Sequence, residues 1–244
     1  KERPLAVKII TDSTCDMSPE LIKELGITVL PTYLLFGTTS YRDGIDISTD
    51  EFYQKLLHEP VYPTTSQPTP QDFLTAFDKL SAKADGIICI NISNKLSGTL
   101  NSAEQAKKST TVTTPIEIID SQSVSMGLGL LVIAAARMAK AGKGMAEITE
   151  AVRPMVSRNH LLILFDTLEY LAKGGRIGKV KSLLGSILSV KPLVMVRDGE
   201  LVPSGQVRSR AKGKDRLVEF ANGFKDVADM CIIYSPTPDE AKEL

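Results

Sequence analysis

Hydroxyl-bearing residues gather where an apolar run ends or a helix is about to begin. Asp12-Ser13-Thr14 follows the apolar run 6–11, Thr65-Ser66-Gln67 comes shortly before one helix start, and Ser97-Gly98 stands before another. The N-terminus of a helix holds anions without Lys or Arg, because it carries unpaired N–H donors and partial positive charge. Each cluster alone is more often a plain helix cap. Together they predict an anion site built from neutral donors.

Other site chemistries have little support in the sequence. It contains no GxxxxGK[ST] phosphate loop, no GxGxxG after the first strand and no GxSxG nucleophile motif. Of the two histidines, His58 is predicted to end a surface helix and His160 to begin a strand. Cys15, Cys89 and Cys231 form no CxxC pair. We therefore expect no catalytic residue, no metal site and no cofactor, in a reduced, cytoplasmic protein.

Asp12 is the carboxylate that could still support catalysis. A phosphotransferase could use Asp12 together with Ser97 and the helix start that follows it, although the missing nucleotide loop argues against this. Aspartates at such positions more often order a loop by accepting backbone N–H bonds. Both interpretations of Asp12 stay open at this point.

Composition restricts the class of partner. The 244 residues include 29 basic and 29 acidic side chains, and aromatic residues make up only 5%, with no Trp. Nucleic acid is not expected as a partner, since its binding calls for an excess of positive charge and for stacking aromatics. The longest apolar run, 124–136, is shorter than the about 20 residues of a membrane span and predicts a buried helix. The chain has no initiating Met and stops within a predicted helix, so we expect both ends to be trimmed.

Residues 1–157 alternate between short buried strands and helices. Strands are predicted at 6–11, 29–36, 86–91 and 116–119, and helices at 19–26, 49–58, 70–82, 99–108, 124–141 and 145–157. Such alternation predicts an α/β domain, a mostly parallel sheet with helices on both faces. Ligands bind such sheets at the carboxyl ends of the strands, where the hydroxyl clusters fall. We therefore expect this domain, residues 1–157, to carry the predicted anion site.

Residues 158–244 follow a different pattern, which predicts a second, smaller mixed α+β domain that is C-terminally incomplete. Asp198-Gly199 between two apolar runs predicts a hairpin. The basic loop Lys173–Lys181 is either a solvated turn or a contact for an anionic partner or the other domain. The predicted strands are 161–165, 192–197, 200–208 and 230–234, and the predicted helices are a short one to 171, then 180–189 and 211–225.

Four segments together resemble the DegV family of fatty-acid-binding proteins. They are Thr11-Asp12-Ser13-Thr14, Thr65-Ser66-Gln67-Pro68, the stretch 95–103 (KLSGTLNSA) and the stretch 171–177 (LAKGGRI). The resemblance runs from near residue 7 to the end of the chain. It implies that Thr65 and Ser97 hydrogen-bond a fatty acid carboxylate and that the acyl tail lies in an apolar tunnel between the two domains.

The resulting prediction is a non-catalytic protein that binds a long-chain fatty acid. The head-group residues are predicted to be Thr65, Ser66, Ser97, Gly98, Ser13 and Thr14. The resemblance also implies that the protein presents the carboxylate to the catalytic subunit of a fatty acid kinase. The alternatives are the phosphotransferase and a regulator that senses lipid.

Overall fold

The computed structural model describes residues 7–183 and 190–235. The chain divides into two compact units, Lys1–Asn159 and His160–Leu244. The domain boundary predicted between residues 157 and 158 lies two residues before this division.

A four-stranded parallel sheet forms the centre of the first unit. Its strands are β1 (Val7–Asp12), β2 (Thr28–Leu30), β6 (Gly86–Asn91) and β7 (Ile116–Asp120), in the order β2-β1-β6-β7. All six residues of β6 are buried. A strand that reads as a continuous apolar run is what a parallel sheet covered on both faces requires. The predicted α/β fold class is confirmed.

Helices cover both faces of this sheet. Helices α5 (Met126–Lys140) and α6 (Met145–Ser157) share one apolar cluster with Ile88 and Ile90 of β6. Phe73 and Phe77, on α3 (Pro70–Ser81), belong to a second cluster that takes in alternate residues of the same strand. The other helices described in this unit are α1 (Pro19–Leu25), α2 (Thr49–His58), α4 (Thr99–Ser109) and a short 3-10 helix (Ser13–Cys15).

The first unit also contains a small antiparallel sheet that the sequence did not predict. Its strands are β3 (Tyr33–Phe36), β4 (Thr39–Arg42) and β5 (Thr64–Ser66), in the order β4-β3-β5. The predicted strand 29–36 is divided into β2 and β3, with Pro31 between them. Proline lacks the N–H that a strand interior needs, so the chain leaves one sheet there and enters the other.

An antiparallel sheet forms the second unit's framework. Strand β9 (Lys191–Arg197) pairs with β8 (Leu162–Leu164) on one side and β10 (Glu200–Val207) on the other. Asp198 and Gly199 join β9 to β10 with φ values of 50° and 80°, the conformation that an Asp-Gly hairpin turn requires. The helices described in this unit are α7 (Glu169–Lys173), a 3-10 helix (Gly178–Leu183) and α8 (Arg210–Asn222).

Two predicted elements of this unit differ in the structure. The predicted helix 180–189 is represented by the 3-10 helix, and its last six residues lie outside the described residues. Residues 230–234 are not a strand, and Met230, Ile232 and Tyr234 are exposed. An apolar run becomes a strand only where another strand pairs with it, and no described strand does so here. Across the two described ranges, none of the helices has the length and apolar character needed to cross a membrane.

Candidate anion-binding site at the carboxyl edge of the sheet

The strand order places a crevice between β1 and β6. After β1 the chain builds β2 on one side, and it later returns to place β6 on the other. At such a reversal the loops leaving the two central strands separate in opposite directions, and ligands of open α/β sheets bind there. The loops in question follow Asp12 of β1 and Asn91 of β6. Both carry polar clusters.

Asp12 links the two loops that border this crevice. Its Oδ2 accepts hydrogen bonds from Asn91 Nδ2 and from Ile92 N, both at 3.0 Å. Its Oδ1 accepts from Thr14 N at 3.2 Å and from Thr14 Oγ1 at 2.5 Å. The Asp12 side chain is completely buried. A carboxylate that accepts four hydrogen bonds has used its acceptor positions, so Asp12 joins the two loops and has little capacity left to bind or activate a substrate.

The buried network extends along β6. Cys89 donates its thiol to Asn91 Oδ1 at 3.0 Å, and burial raises the pKa of that thiol well above its ordinary value. Both residues are completely buried. The Cys89 thiol therefore stays protonated and acts as a small core group, as its apolar neighbours in the sequence indicated.

Two of the predicted head-group residues take part in this framework. The Ser13 hydroxyl accepts from Thr32 N at 3.0 Å and lies 2.9 Å from Thr32 Oγ1. The Thr14 hydroxyl donates to Asp12. Both side chains are half-buried and tie the loop after β1 to neighbouring segments. A direct ligand role for Ser13 and Thr14 stays a prediction, and their present bonds are structural.

Ser97 is arranged differently, at the start of α4. Its Oγ accepts from Thr99 N at 3.3 Å and lies 2.9 Å from Thr99 Oγ1. When the buried Thr99 hydroxyl donates to it, both Ser97 lone pairs are occupied and the Ser97 proton is free for a ligand. Gly98 is the N-cap of α4 and supplies no side-chain cap. The other first-turn N–H groups, which have no intrahelical partner, add donors beside that proton.

Strand β5 positions the second predicted donor segment. Its pairing with β3 places Thr65 opposite Leu34 and Ser66 opposite Tyr33. Successive side chains of a strand point to opposite faces, so Thr65 and Ser66 face different sides. Pro68 follows Gln67 and disfavours helical backbone there, so the extended chain continues and Gln67 shares the face of Thr65.

A contact between Gln67 and Gly98 joins the two donor segments. A Cβ on residue 98 would lie 2.9 Å from Nε2 and 3.2 Å from Cδ of Gln67. Thr65 is two residues before Gln67, and Ser97 directly precedes Gly98, so the predicted donor segments meet here. Ser66 lies on the opposite face of β5, and its ligand role stays a prediction.

Sequence reasoning missed Asn91, which appeared only as the last residue of a predicted strand. Gln67 belongs to one of the predicted donor clusters, but it was not among the predicted head-group residues. The glycine at position 98 was the available signal for Gln67, because a glycine at a helix start leaves room for a neighbouring side chain.

Other features of the described residues add no second candidate of this kind. Within the two described ranges, no group of three or more His, Cys, Asp or Glu could hold a metal ion. In the basic loop, Lys173 pairs with Glu169 and Lys179 with Glu200, each at 2.6 Å. These exposed pairs agree with a solvated surface turn, and a contact of the basic loop with an anionic partner or with the other domain stays a prediction. The second unit has an open cleft of about 280 Å³, lined by Leu162, Leu193, Ser204, Arg216, Glu219 and Phe220.

The fold defines a class: an α/β unit with uncharged hydrogen-bond donors near the carboxyl edge of its parallel sheet, followed by a smaller α+β unit. A model of the DegV family, whose description reads "uncharacterised protein", matches residues 6–244. A DegV domain-containing protein of Caldanaerobacter subterraneus subsp. tengcongensis is 39% identical over 214 residues, which are 88% of this chain and 76% of that protein. The chain belongs to the DegV family.

Solved structures agree with this assignment. A fatty acid-binding DegV family protein from Thermus thermophilus has a TM-score of 0.82 at 31% identity. The match covers 90% of this chain and 78% of the Thermus chain. A stearic acid-binding protein from Eubacterium ventriosum has a TM-score of 0.83 at 31% identity, over 89% of this chain and 76% of its own. The resemblance predicted from the four sequence segments is confirmed.

Proposed function

We propose that this protein binds a long-chain fatty acid and holds its carboxylate with Thr65, Ser97 and the first-turn N–H groups of α4. The contact between Gln67 and Gly98 is the observation that carries the proposal, because it brings the two donor segments together at the start of an 11-residue helix. The fatty acid and stearic acid named for two structural relatives supply the ligand class.

The energetics fit a carboxylate held by neutral groups. Burying a methylene is worth about 0.8 kcal/mol, so an acyl chain of ~14 methylenes offers on the order of 11 kcal/mol before costs. Association consumes roughly 4 kcal/mol or more of this. The tail therefore provides most of the affinity, and the head group needs hydrogen bonds that orient it and keep it charged. That the tail occupies a tunnel between the two domains stays a prediction.

The proposed role is presentation of the lipid rather than catalysis. Asp12, the residue on which the phosphotransferase alternative depends, is buried and already accepts four hydrogen bonds. A base or nucleophile needs a free lone pair directed at the reacting atom. We therefore propose that phosphorylation of the bound carboxylate belongs to a separate partner, the catalytic subunit of a fatty acid kinase. A cytoplasmic location is part of the same proposal.

Native mass spectrometry tests the binding proposal. Protein purified from bacteria should carry a co-purified fatty acid, and delipidated protein should take up palmitate or oleate with one-to-one stoichiometry. Absence of lipid in both experiments would contradict the proposal.

Incubation with ATP separates presentation from catalysis. Lipid-loaded protein alone should form no acyl phosphate, and addition of a fatty acid kinase catalytic subunit should produce it. Product formed without the kinase would favour the phosphotransferase.

A further inference from the structure

Gln67 has an unusual position for an exposed glutamine. The three atoms that a Cβ on residue 98 would meet first are Nε2, Cδ and Oε1 of Gln67, at 2.9, 3.2 and 3.6 Å. The amide thus occupies the space directly beside the N-cap of α4. Among the described residues, no hydrogen-bond partner is recorded for this amide. The N–H groups of the Gln67 amide are therefore available to a ligand at the start of α4.

The segments on both sides of Gln67 fix its position. Strand β5 ends one residue earlier, paired with β3, and Pro68 directly follows. Beyond it, Thr69 forms a capping box with Asp72, whose Oδ2 also accepts from Tyr33 Oη at 3.0 Å. Because both neighbours of Gln67 are anchored, its backbone cannot move far from Gly98. The contact follows from the local fold.

The groups beside the Gln67 amide are hydrogen-bond donors, which favour a negatively charged ligand over an uncharged one. Ser97, Gly98 and the first turn of α4 present donors, and the Gln67 amide group adds two N–H bonds. A neutral amide strengthens binding of an ionised carboxylate and gives less to an alcohol, because hydrogen bonds to a charged acceptor are about twice as strong.

We propose that Gln67 is a further head-group donor that selects ionised long-chain acids over uncharged lipids of the same length, and that residue 98 must be glycine to admit it. This inference rests on the proposed fatty acid binding. Its own content is the role of Gln67 in discriminating acid from alcohol.

Equilibrium dialysis with radiolabelled palmitate and hexadecanol tests the inference at pH 7. Gln67→Glu keeps the size of the side chain and places a negative charge beside the bound carboxylate. We expect at least about a tenfold loss of palmitate affinity and little change for hexadecanol. Gln67→Met, which removes the donors without adding charge, should lower palmitate affinity by a smaller factor and also spare hexadecanol.

Gln105→Glu is the matched control, because it makes the same change on an exposed residue further along α4. It should leave both affinities unchanged. Gly98→Ala should resemble Gln67→Met, since a Cβ would displace the amide. Thermal midpoints of all variants show whether the fold is retained.

The outcomes separate this inference from the proposed function. If the wild-type protein binds no palmitate, the proposed function fails and Gln67 has no role to assign. If the wild type binds palmitate and Gln67→Glu binds it equally well, the Gln67 inference is overturned while fatty acid binding stands. An equal loss of palmitate and hexadecanol in Gln67→Glu also overturns it, because the residue then acts on the tail or on the fold.

Discussion

Two polar clusters at the same edge of the parallel sheet use their hydrogen-bonding groups in opposite ways. Around Asp12, a buried carboxylate, a buried amide and backbone N–H groups satisfy one another. Around Thr65, Gln67 and Ser97, donors are half-buried or exposed. For Thr65 and Gln67 no side-chain partner is recorded among the described residues. The first cluster therefore resembles the buried core of a protein. The second has donors available to an acceptor group of a ligand.

This difference separates a structural role from a binding role. A buried polar group whose bonds are complete stabilises the fold and has no capacity left for a ligand. Free N–H or O–H groups at a helix start can exchange their hydrogen bonds to water for bonds to an anion at little cost in free energy. This difference supports a framework role for Asp12 and the proposed ligand role for the Thr65–Ser97 region, and the following substitutions test both roles.

Asp12→Ala should have the largest effect, on stability. It leaves the buried Asn91 amide and the Ile92 N–H without their acceptor, at about 1–3 kcal/mol for each group. We expect the free energy of unfolding, measured in urea, to fall by about 2 to 6 kcal/mol. Alkylation of the buried Cys89 thiol, which bonds to Asn91, should become faster in the same variant.

Asp120→Ala is the control for Asp12. Asp120 ends β7 and accepts from Gln122 N at 2.8 Å and Asn94 N at 3.4 Å, both near solvent. Water can replace these bonds, so the expected loss is about 1 kcal/mol or less. Similar losses in the two variants would contradict the structural role given to Asp12.

Substitution of the donors should act on binding. Thr65→Ala and Ser97→Ala should each weaken palmitate binding about tenfold, as expected for one lost hydrogen bond to a charged group. Ser97→Ala should also cost about 1 kcal/mol of stability, because Ser97 caps Thr99 N. Thr64→Ala is the control, since Thr64 neighbours Thr65 on the opposite face of β5. Weaker binding in Thr64→Ala than in Thr65→Ala would show that the faces of β5 are assigned wrongly.

Thr11→Val should have the smallest effect, and of the opposite sign. Thr11 is completely buried, and its Oγ1 has no hydrogen-bond partner in the part of the chain that the structure describes. The substitution replaces an unsatisfied hydroxyl with a methyl group of similar size. The free energy of unfolding, measured by thermal unfolding, should therefore rise by up to about 1 kcal/mol. Thr99→Val, at an equally buried threonine whose hydroxyl contacts Ser97, should instead lose stability and palmitate affinity. A destabilised Thr11→Val would contradict the difference between the two threonines.

The sequence predicted most of the first unit because its signals are local. Apolar runs give the buried strands, and Ser48 forms the predicted capping box with Glu51 at the start of α2. Helix α6 has the predicted bounds of 145–157. Pairing between strands that are distant in the sequence leaves no such local signal. The antiparallel sheet β4-β3-β5 contains short, polar strands such as β5, whose three residues are all exposed, so no apolar pattern marks them.

The candidate site was predicted in part for the same reason. Thr65, Ser97 and Gly98 belong to motifs that the sequence displays, whereas the position of Gln67 depends on the register of β5 against β3. Ser13 and Thr14 were chosen for their hydroxyls, and only the structure gives their bonds to Thr32 and Asp12. Hydroxyl groups identify a candidate, and the satisfaction of their bonds distinguishes a framework residue from a ligand residue.

A crystal structure of the protein with bound palmitate would locate the carboxylate itself. We expect its oxygens within about 2.6–3.2 Å of Ser97 Oγ and Thr65 Oγ1, at the start of α4, with the four bonds to Asp12 unchanged. A carboxylate bound elsewhere, or one that displaces Asn91 from Asp12, would contradict this expectation.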